Sequence, residues 1–456
     1  MNTFNVCDFG ATGQKSDSAQ SAIQETIDAC CAAGGGMVYF PPGAYTTGTL
    51  HLKTHVRIFV EAGATVYSSK NAGDYSVKAL FYGEDIQNIT LEGRGIIDGQ
   101  AEYDWRLSDH DDRYILDNQR QMEALGKPLM RAFPTENSIG NLVHLIRCKD
   151  VVIRDLSFID SPSWTIHPYA CERLTIEGVY VRTSREAGVW ADGIDPDGCK
   201  DVRIANCTIE TGDDALVFYS SDIYGPALPC ENITVTNCRL SSASSALKFC
   251  DGIKNCVRNV TIDNCIITDS NRGIAFMEFD GGYVSDIVIS NMVINCRRYD
   301  WFWWGNGDPL HFLVKQRSEM HPEMEGADEP SAGTIRNVLL KNIIARGAGP
   351  CEIAGHPDSS LDGITMENIK LTLFDDPEAP FNRGGDALTF KHARNLRLSN
   401  IEVVWDNIVT DGWKSAFCFE DIEGLVGNDL QGVAADEGPP IRFERTESIS
   451  GNVEQT

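Results

Sequence analysis

The segments VRIANCTI (202–209), ITVTNCRL (233–240), VTIDNCII (260–267) and IVISNMVI (287–294) share one pattern: apolar-x-apolar-x-Asn-apolar/Cys-x-apolar. It returns as VLLKNIIA (338–345), ITMENIKL (364–371) and LRLSNIEV (396–403), and weaker copies without the Asn lie at 89–96, 151–158 and 174–181. The Asn positions 206, 237, 264, 291, 342, 368 and 400 are separated by 31, 27, 27, 51, 26 and 32 residues. Alternation of period two marks each copy as a strand with one buried face. Steps in the high twenties are too long for hairpins and too irregular for propeller blades. They suit one coil of a parallel β-helix, in which each coil stacks its strands on the next. The recurring Asn falls where the strand ends and the chain bends, so its expected role is structural: a left-handed backbone and a stacked side-chain ladder.

The expected fold is therefore all-β, a right-handed parallel β-helix forming one domain over residues 1–456. A second strand follows most of the Asn positions: DALVF (214–218), SALKF (245–249), GIAFM (273–277) and CEIAG (351–355), with PLHFL (309–313) after an insertion. Two excursions, 101–137 and 297–308, are expected to be loops beside a binding face, the second bearing Trp301, Trp303 and Trp304. Residues 18–33 read as a helix covering the open first coil, capped by Asp17 or Ser18 and stopped by Gly34-Gly35-Gly36.

A net charge of −27 and a pI near 4.6 argue against nucleic acid or an anionic membrane as partner. They also disfavour a long polyanionic substrate. No stretch approaches a membrane-spanning length. The N-terminus shows no basic-then-apolar signal. The 15 cysteines have no paired CxxC spacing, and Cys207, Cys238 and Cys265 sit in apolar strand contexts. The expectation is reduced thiols, a cytoplasmic protein and no metal.

Aligning the second strands as WTIHP, DGIDP, DALVF, SALKF and GIAFM makes vertical columns. Columns three and five, ending in Ala275 and Met277, are apolar and expected to point inward; His311 is likewise expected inward. The outward surface then gathers His167, Asp192, Asp195, Asp213, Asp214, Lys248 and Glu278, with Phe276 above Lys248. Strands about 4.8 Å apart bring Asp192 and Asp214 close, and a crowd of carboxylates should hold one proton near neutral pH. Glycoside hydrolysis needs such a set: one acid for the leaving oxygen, ionised partners for a water, roughly 6.5–9.5 Å apart when the anomer is inverted. A calcium site or a solvated acidic face uses the same residues, and the columns alone leave the three open.

With those residues in view, the chain resembles glycoside hydrolase family 28, the polygalacturonase family. FNVCDFGATGQKSDSAQSAIQETIDACCAAGGG followed by VYFPPGAY resembles the N-terminal signature of pectin-acting β-helices, and SPSWTIHP (161–168) the strand before the family's active site. WADGIDPDGC (190–199) is similar to its Asn-Thr-Asp-Gly-x-Asp motif, and TGDDALVF (211–218) to its Asp-Asp motif. The resemblance implies Asp213 as general acid, Asp192 and Asp214 as the water-activating carboxylates, and no cofactor. Departures are equally plain. Trp190-Ala191 stand where the motif has Asn-Thr, and Ser244-Ser245-Ala246 replace Gly-His-Gly. The uronate-gripping Arg-Ile-Lys aligns with Phe276-Met277-Glu278, leaving Lys248 as the nearby cation. His167, Asp195, Lys248, Glu278, Trp303 and Trp304 are the candidate sugar contacts. The implied function is an inverting, exo-acting hydrolase of short pectin-derived or related oligosaccharides. A β-helix polysaccharide lyase or epimerase, and a non-catalytic carbohydrate-binding β-helix, are the alternatives.

Overall fold

A computed structural model describes residues 2–103, 105–108, 120, 123–124, 126, 131–134, 138–299, 303–320, 329–379 and 381–452. They fall into two compact units. The first comprises the described residues within 1–108, 130–217 and 230–238, the second those within 109–129, 218–229 and 239–456.

Each unit is built as right-handed parallel β-helix. In the first, Gly36–Phe40, Val56–Val60, Gln87–Gly93, Lys149–Arg154, Glu172–Glu177, Lys200–Ala205 and Cys230–Thr236 pair in parallel, coil on coil. Ile89, Val151, Leu174, Val202 and Ile233 form one inward column with no more than 1% exposure. Another sheet of this unit carries the site: Leu50–His51, Ala79–Glu84, Asn141–Ile146 and Ile166–Tyr169, continued by bridges from Ile166 to Ile194 and from Ile194 to Leu216. In the second unit Tyr283–Cys296, Thr334–Gly347, Leu361–Phe374, Leu388–Asp406 and Phe417–Gln431 stack likewise. Phe249 stacks on Phe276 and Phe276 on Phe312, with ring centroids 4.2 Å apart in both pairs.

The Asn positions behave as the sequence predicts. All seven have positive φ, between 53° and 59°. Asn237 donates to Asn206 at 2.6 Å in the first unit, and Asn342 to Asn291, Asn368 to Asn342 and Asn400 to Asn368 at 2.8–3.0 Å in the second. A further left-handed ladder lies at the start of the same strands, where Asn232 donates to Asp201 and Asn337 to Asp286.

The N-terminal helix, Gln20–Ala32, buries Ile23, Ile27 and Cys30 against Gly36–Phe40. Its cap differs from expectation. Ala19 is the N-cap and makes no side-chain bond, because the preceding backbone is drawn into the sheet: Ser18 bridges Thr46 and Ala19 N–H donates to Thr46 O. Asp17 instead accepts from Thr12 and Ser16. The Gly stop is as predicted, with Gly34 at φ 85° and Gly35 at φ 106°. Most of the 101–137 excursion lies outside the described residues; its Trp105–Ser108 and Arg131–Pro134 pair antiparallel. Trp301 also lies outside them.

The columns need one correction in the second unit. Lys248 pairs with Ala275 and Phe249 with Phe276, so GIAFM sits one residue away from the alignment. Ile274 and Phe276 point inward; Ala275 and Met277 do not. The bulkier apolar pair takes the interior, and a one-residue slip exchanges the two faces of a strand. His311 pairs with Ala275 and so stands in the outward column, not the inward one.

Candidate active site

In the first unit the register places Asp192 between Trp164 and Asp214 in one column, and Asp195 between His167 and Val217 in the next outward column. The backbone is fixed before any side chain is considered. Gly193 N–H donates to Asp214 O, Ile194 N–H to Ala215 O and Thr165 N–H to Asp192 O, at 2.9–3.0 Å. Gly193 is required here, since a Cβ would lie 2.3 Å from Ala215 O and 2.5 Å from Ile209 Cγ2. Gly212 allows a similar approach just before the Asp pair, where a Cβ would meet Ser184 O at 2.0 Å.

Asp192, Asp213 and Asp214 are 3%, 4% and 2% exposed. Asp213 is oriented by two backbone donors: Trp190 N–H reaches Oδ2 at 2.8 Å and Asp214 N–H reaches Oδ1 at 3.0 Å. Thr211 Oγ1 donates to Asp213 O at 2.6 Å, and Thr183 Oγ1 donates to Ala191 O while accepting from Gly212 N–H. The two aspartate motifs are thus tied to each other through Thr183. Sequence reading missed Trp190 as a site residue and treated it only as a departure. Its position two residues before Asp192, in place of the motif's Asn, was the available signal, and here it is left-handed at φ 69°.

Asp195 is fully buried and is not a surface sugar contact. Burial pushes its carboxyl well above the usual range; a hydrogen bond with Asp192 works the other way, and the charges of Asp214, Asp213 and Asp197 add to the rise. His167 is also fully buried. Its Nε2 lies 3.7 Å from Asp197 Oδ2, and its ring stacks on His144 at 4.9 Å and meets Trp164 edge-on at 4.5 Å. Burial holds His167 below its ordinary value against the pull of Asp197. His144 is brought down to about 4 by burial and then by His167. Two stacked neutral imidazoles thus support the coil beneath the aspartates, and His167 has no open face for a sugar.

The second unit holds the remaining candidates. Lys248 Nζ lies 3.6 Å from Asp251, which Arg317 also contacts at 2.9 Å. Burial opposes the charge on Asp251, but Lys248 and then Arg317 outweigh it and hold the carboxyl well below its usual range. Glu278 is fully buried and does not face outward; its Oε1 accepts from Asp280 N–H at 3.2 Å and Gly282 N–H at 3.1 Å, closing a turn. It ends the strand in phase with inward Phe276, which explains its burial. Nor is Lys248 the sole cation in the columns. Arg272 pairs with Ser245 on one side and Asp308 on the other, and its Nε lies 3.4 Å from Asp308 Oδ2. Burial disfavours ionised Asp308, but Arg272 and His311 bring it down to about 2. Trp303 is 1% exposed and so offers no open ring face to a sugar, while Trp304 is half-buried with its ring centroid 6.4 Å from that of Trp303. Arg298 pins that loop by donating to Asn306 Oδ1 at 2.7 Å and Gly305 O at 3.4 Å. Among the described residues no group of three or more His, Cys, Asp or Glu is arranged to hold a metal ion.

Comparison with known proteins agrees with this architecture. A "Probable polygalacturonase" of Vitis vinifera is 25% identical over 268 residues, covering 53% of this chain and 50% of that protein. A mannuronan C5-epimerase of Azotobacter vinelandii is 36% identical over 118 residues, 21% of this chain and 12% of that protein. A hyperthermoactive exopolygalacturonase from Thermotoga maritima shares the fold, with a TM-score of 0.66 at 21% identity over 89% of this chain and 92% of that one. The chain spans about half the length of the curated relatives it matches. The profile of glycosyl hydrolases family 28 matches residues 30–302, more than half of the sequence, and the chain belongs to that family.

Proposed function

We propose that this chain is an inverting glycoside hydrolase, exo-acting on short pectin-derived or related oligosaccharides, cytoplasmic and independent of any cofactor. The observation that carries the reading is the set of three buried aspartates, Asp192, Asp213 and Asp214, whose backbones are tied coil to coil and of which Asp213 is aimed by two backbone N–H donors. Asp213 protonates the leaving glycosidic oxygen; Asp192 and Asp214 orient a water and take its proton as it attacks the anomeric carbon. Positioned carboxylates in a water-poor site need little reorganisation as charge develops. Family membership supports the reaction class, and the polygalacturonase and exopolygalacturonase activities of its relatives support a pectic substrate. A net charge of −27 favours short substrates over a long polyanion. Fifteen cysteines, none in a disulfide, suit a reducing compartment.

The test is incubation of purified protein with oligogalacturonides and with neutral pectic oligosaccharides, with products read by mass and by proton NMR. The expected result is one water added per cleavage, single sugars released from one chain end, and a first-formed anomer of inverted configuration. Net retention would mean that an aspartate attacks the sugar directly. The local likeness to a mannuronan C5-epimerase supports one alternative, an epimerase or lyase. Products of unchanged mass and altered configuration, or unsaturated products absorbing in the ultraviolet, would replace the hydrolase reading. Binding without turnover would leave a carbohydrate-binding module.

A further inference from the structure

Asp195 is the one group in the cluster whose environment the hydrolytic roles do not explain. It is 0% exposed, and among the described residues neither carboxyl oxygen has an N–H or O–H donor within reach. Its side-chain hydrogen-bond contact is the carboxyl of Asp192. Two carboxyls in such contact need a proton between them, because two carboxylates offer only acceptors. The groups that face Asp195 make ionisation worse. Asp213 and Asp214 lie on the following coil, Asp197 two residues on, and Val217 supplies no donor. On the preceding coil stands His167, whose Nε2 is turned to Asp197 at 3.7 Å. Its neighbour His144 is directed to the His167 carbonyl and to Asn141.

We propose that Asp195 is a positioning residue, a neutral carboxylic acid whose O–H donates to the Asp192 carboxylate and so keeps Asp192 ionised and correctly aimed at the water. The inference rests on the hydrolase reading of Asp192. It assigns Asp195 no contact with sugar and no net proton transfer; the proton stays on Asp195 through the cycle. The consequence is that position 195 must supply a hydrogen-bond donor, not a charge, and that its proton is additional to the one Asp213 gives to the leaving oxygen.

The experiment compares Asp195→Asn with Asp195→Leu, which are similar in size. Asn keeps an N–H donor for Asp192 and should hold kcat within about threefold, whereas Leu removes a bond to a charged group and should lower kcat about ten- to a hundredfold with KM little changed. Infrared difference spectra, wild type minus Asp195→Asn at neutral pH, should show a protonated-carboxyl carbonyl band that needs no substrate. If Asn is as damaging as Leu, position 195 requires a carboxylate and the proposal falls. Full activity in Leu, or no protonated-carboxyl band, overturns it equally. Should the Leu variant not fold, the Asn kinetics and the infrared band still decide. A wild type that hydrolyses no glycoside defeats the hydrolase reading and with it the assigned purpose; an active wild type with a dead Asn variant defeats this inference alone.

Discussion

Trp190 donates its backbone N–H to Asp213 Oδ2 at 2.8 Å from a left-handed conformation, φ 69°. A bulky residue in that region is strained by roughly 1–2 kcal/mol. The strain is held by the loop on either side, where Gly188 N–H donates to Ser184 O and Ala191 N–H to Gly188 O. The indole itself is 51% exposed, and on the proposed function it offers a ring face to a sugar. Trp190→Asn therefore has two opposed effects. It should raise stability by about 1 kcal/mol, since Asn tolerates the left-handed region, and leave kcat near wild type because the N–H remains. KM should rise from loss of the stacking surface. Thermal melts and steady-state kinetics on one sample check both. A lower Tm together with a collapsed kcat would show that the indole holds the loop.

Asp213→Asn should keep the fold, at a cost of about 1–3 kcal/mol because its amide cannot accept from both Trp190 N–H and Asp214 N–H, and lose nearly all turnover. The exchange is isosteric and opens no cavity. Loss of the proton donor is worth about 10²–10⁴-fold in kcat. Circular dichroism and melting establish the fold; product mass establishes turnover. Activity close to wild type would remove Asp213 from the role of acid.

The contrast between the Asn ladder and the GIAFM strand explains what a sequence of this kind discloses. Asn at a fixed offset after each strand has one physical use, a left-handed bend with a stacked amide, and every copy adopts it. Gly273-Ile274-Ala275-Phe276-Met277 is apolar in both phases, so period two cannot select a face. Only pairing with Phe249 and Phe312 selects it, and with it the placement of Arg272 and Glu278. That Asp192 and Asp214 fall in one column on neighbouring coils was legible, because their two short motifs sit in strands that stack in register. The burial of His167, Asp195 and Trp303 was not, since it depends on neighbours from other coils and loops. The cap of the N-terminal helix failed for a similar reason: sheet pairing at Ser18 and Ala19 overrides a local capping preference.

Asn342 offers a direct measure of the ladder. It has φ 56°, donates to Asn291 at 3.0 Å and accepts from Asn368 at 2.8 Å. Asn342→Gly keeps the backbone and loses both bonds, which at a half-exposed site should cost about 1–2 kcal/mol. Asn342→Ala loses the bonds and adds left-handed strain, about 1 kcal/mol more. Urea unfolding should thus rank wild type above Gly and Gly above Ala. A Gly variant as stable as wild type would mean that the ladder amides exchange freely with water.

Glu278 makes the stability depend on pH in a sense opposite to most carboxylates. It is fully buried, and burial pushes its carboxyl well above the ordinary range even though Asp280 and Gly282 donate to it. The folded chain therefore keeps this proton at pH values where the unfolded chain, near its reference value of about 4.3, has lost it. With more protons bound to the folded form, the Glu278 contribution to stability is full below that value and falls as pH rises through the window up to the folded pKa. Each unit of upward shift corresponds to about 1.4 kcal/mol lost by the top of the window. Glu278→Gln cannot ionise and its amide oxygen still accepts from the turn, so it removes this slope. The variant and wild type should melt alike near pH 4, and the variant should gain progressively toward pH 7. Melting curves across that range decide the matter: a constant difference, or a wild type that gains on the variant as pH rises, would mean that Glu278 folds in as a carboxylate and that the turn donors outweigh its burial.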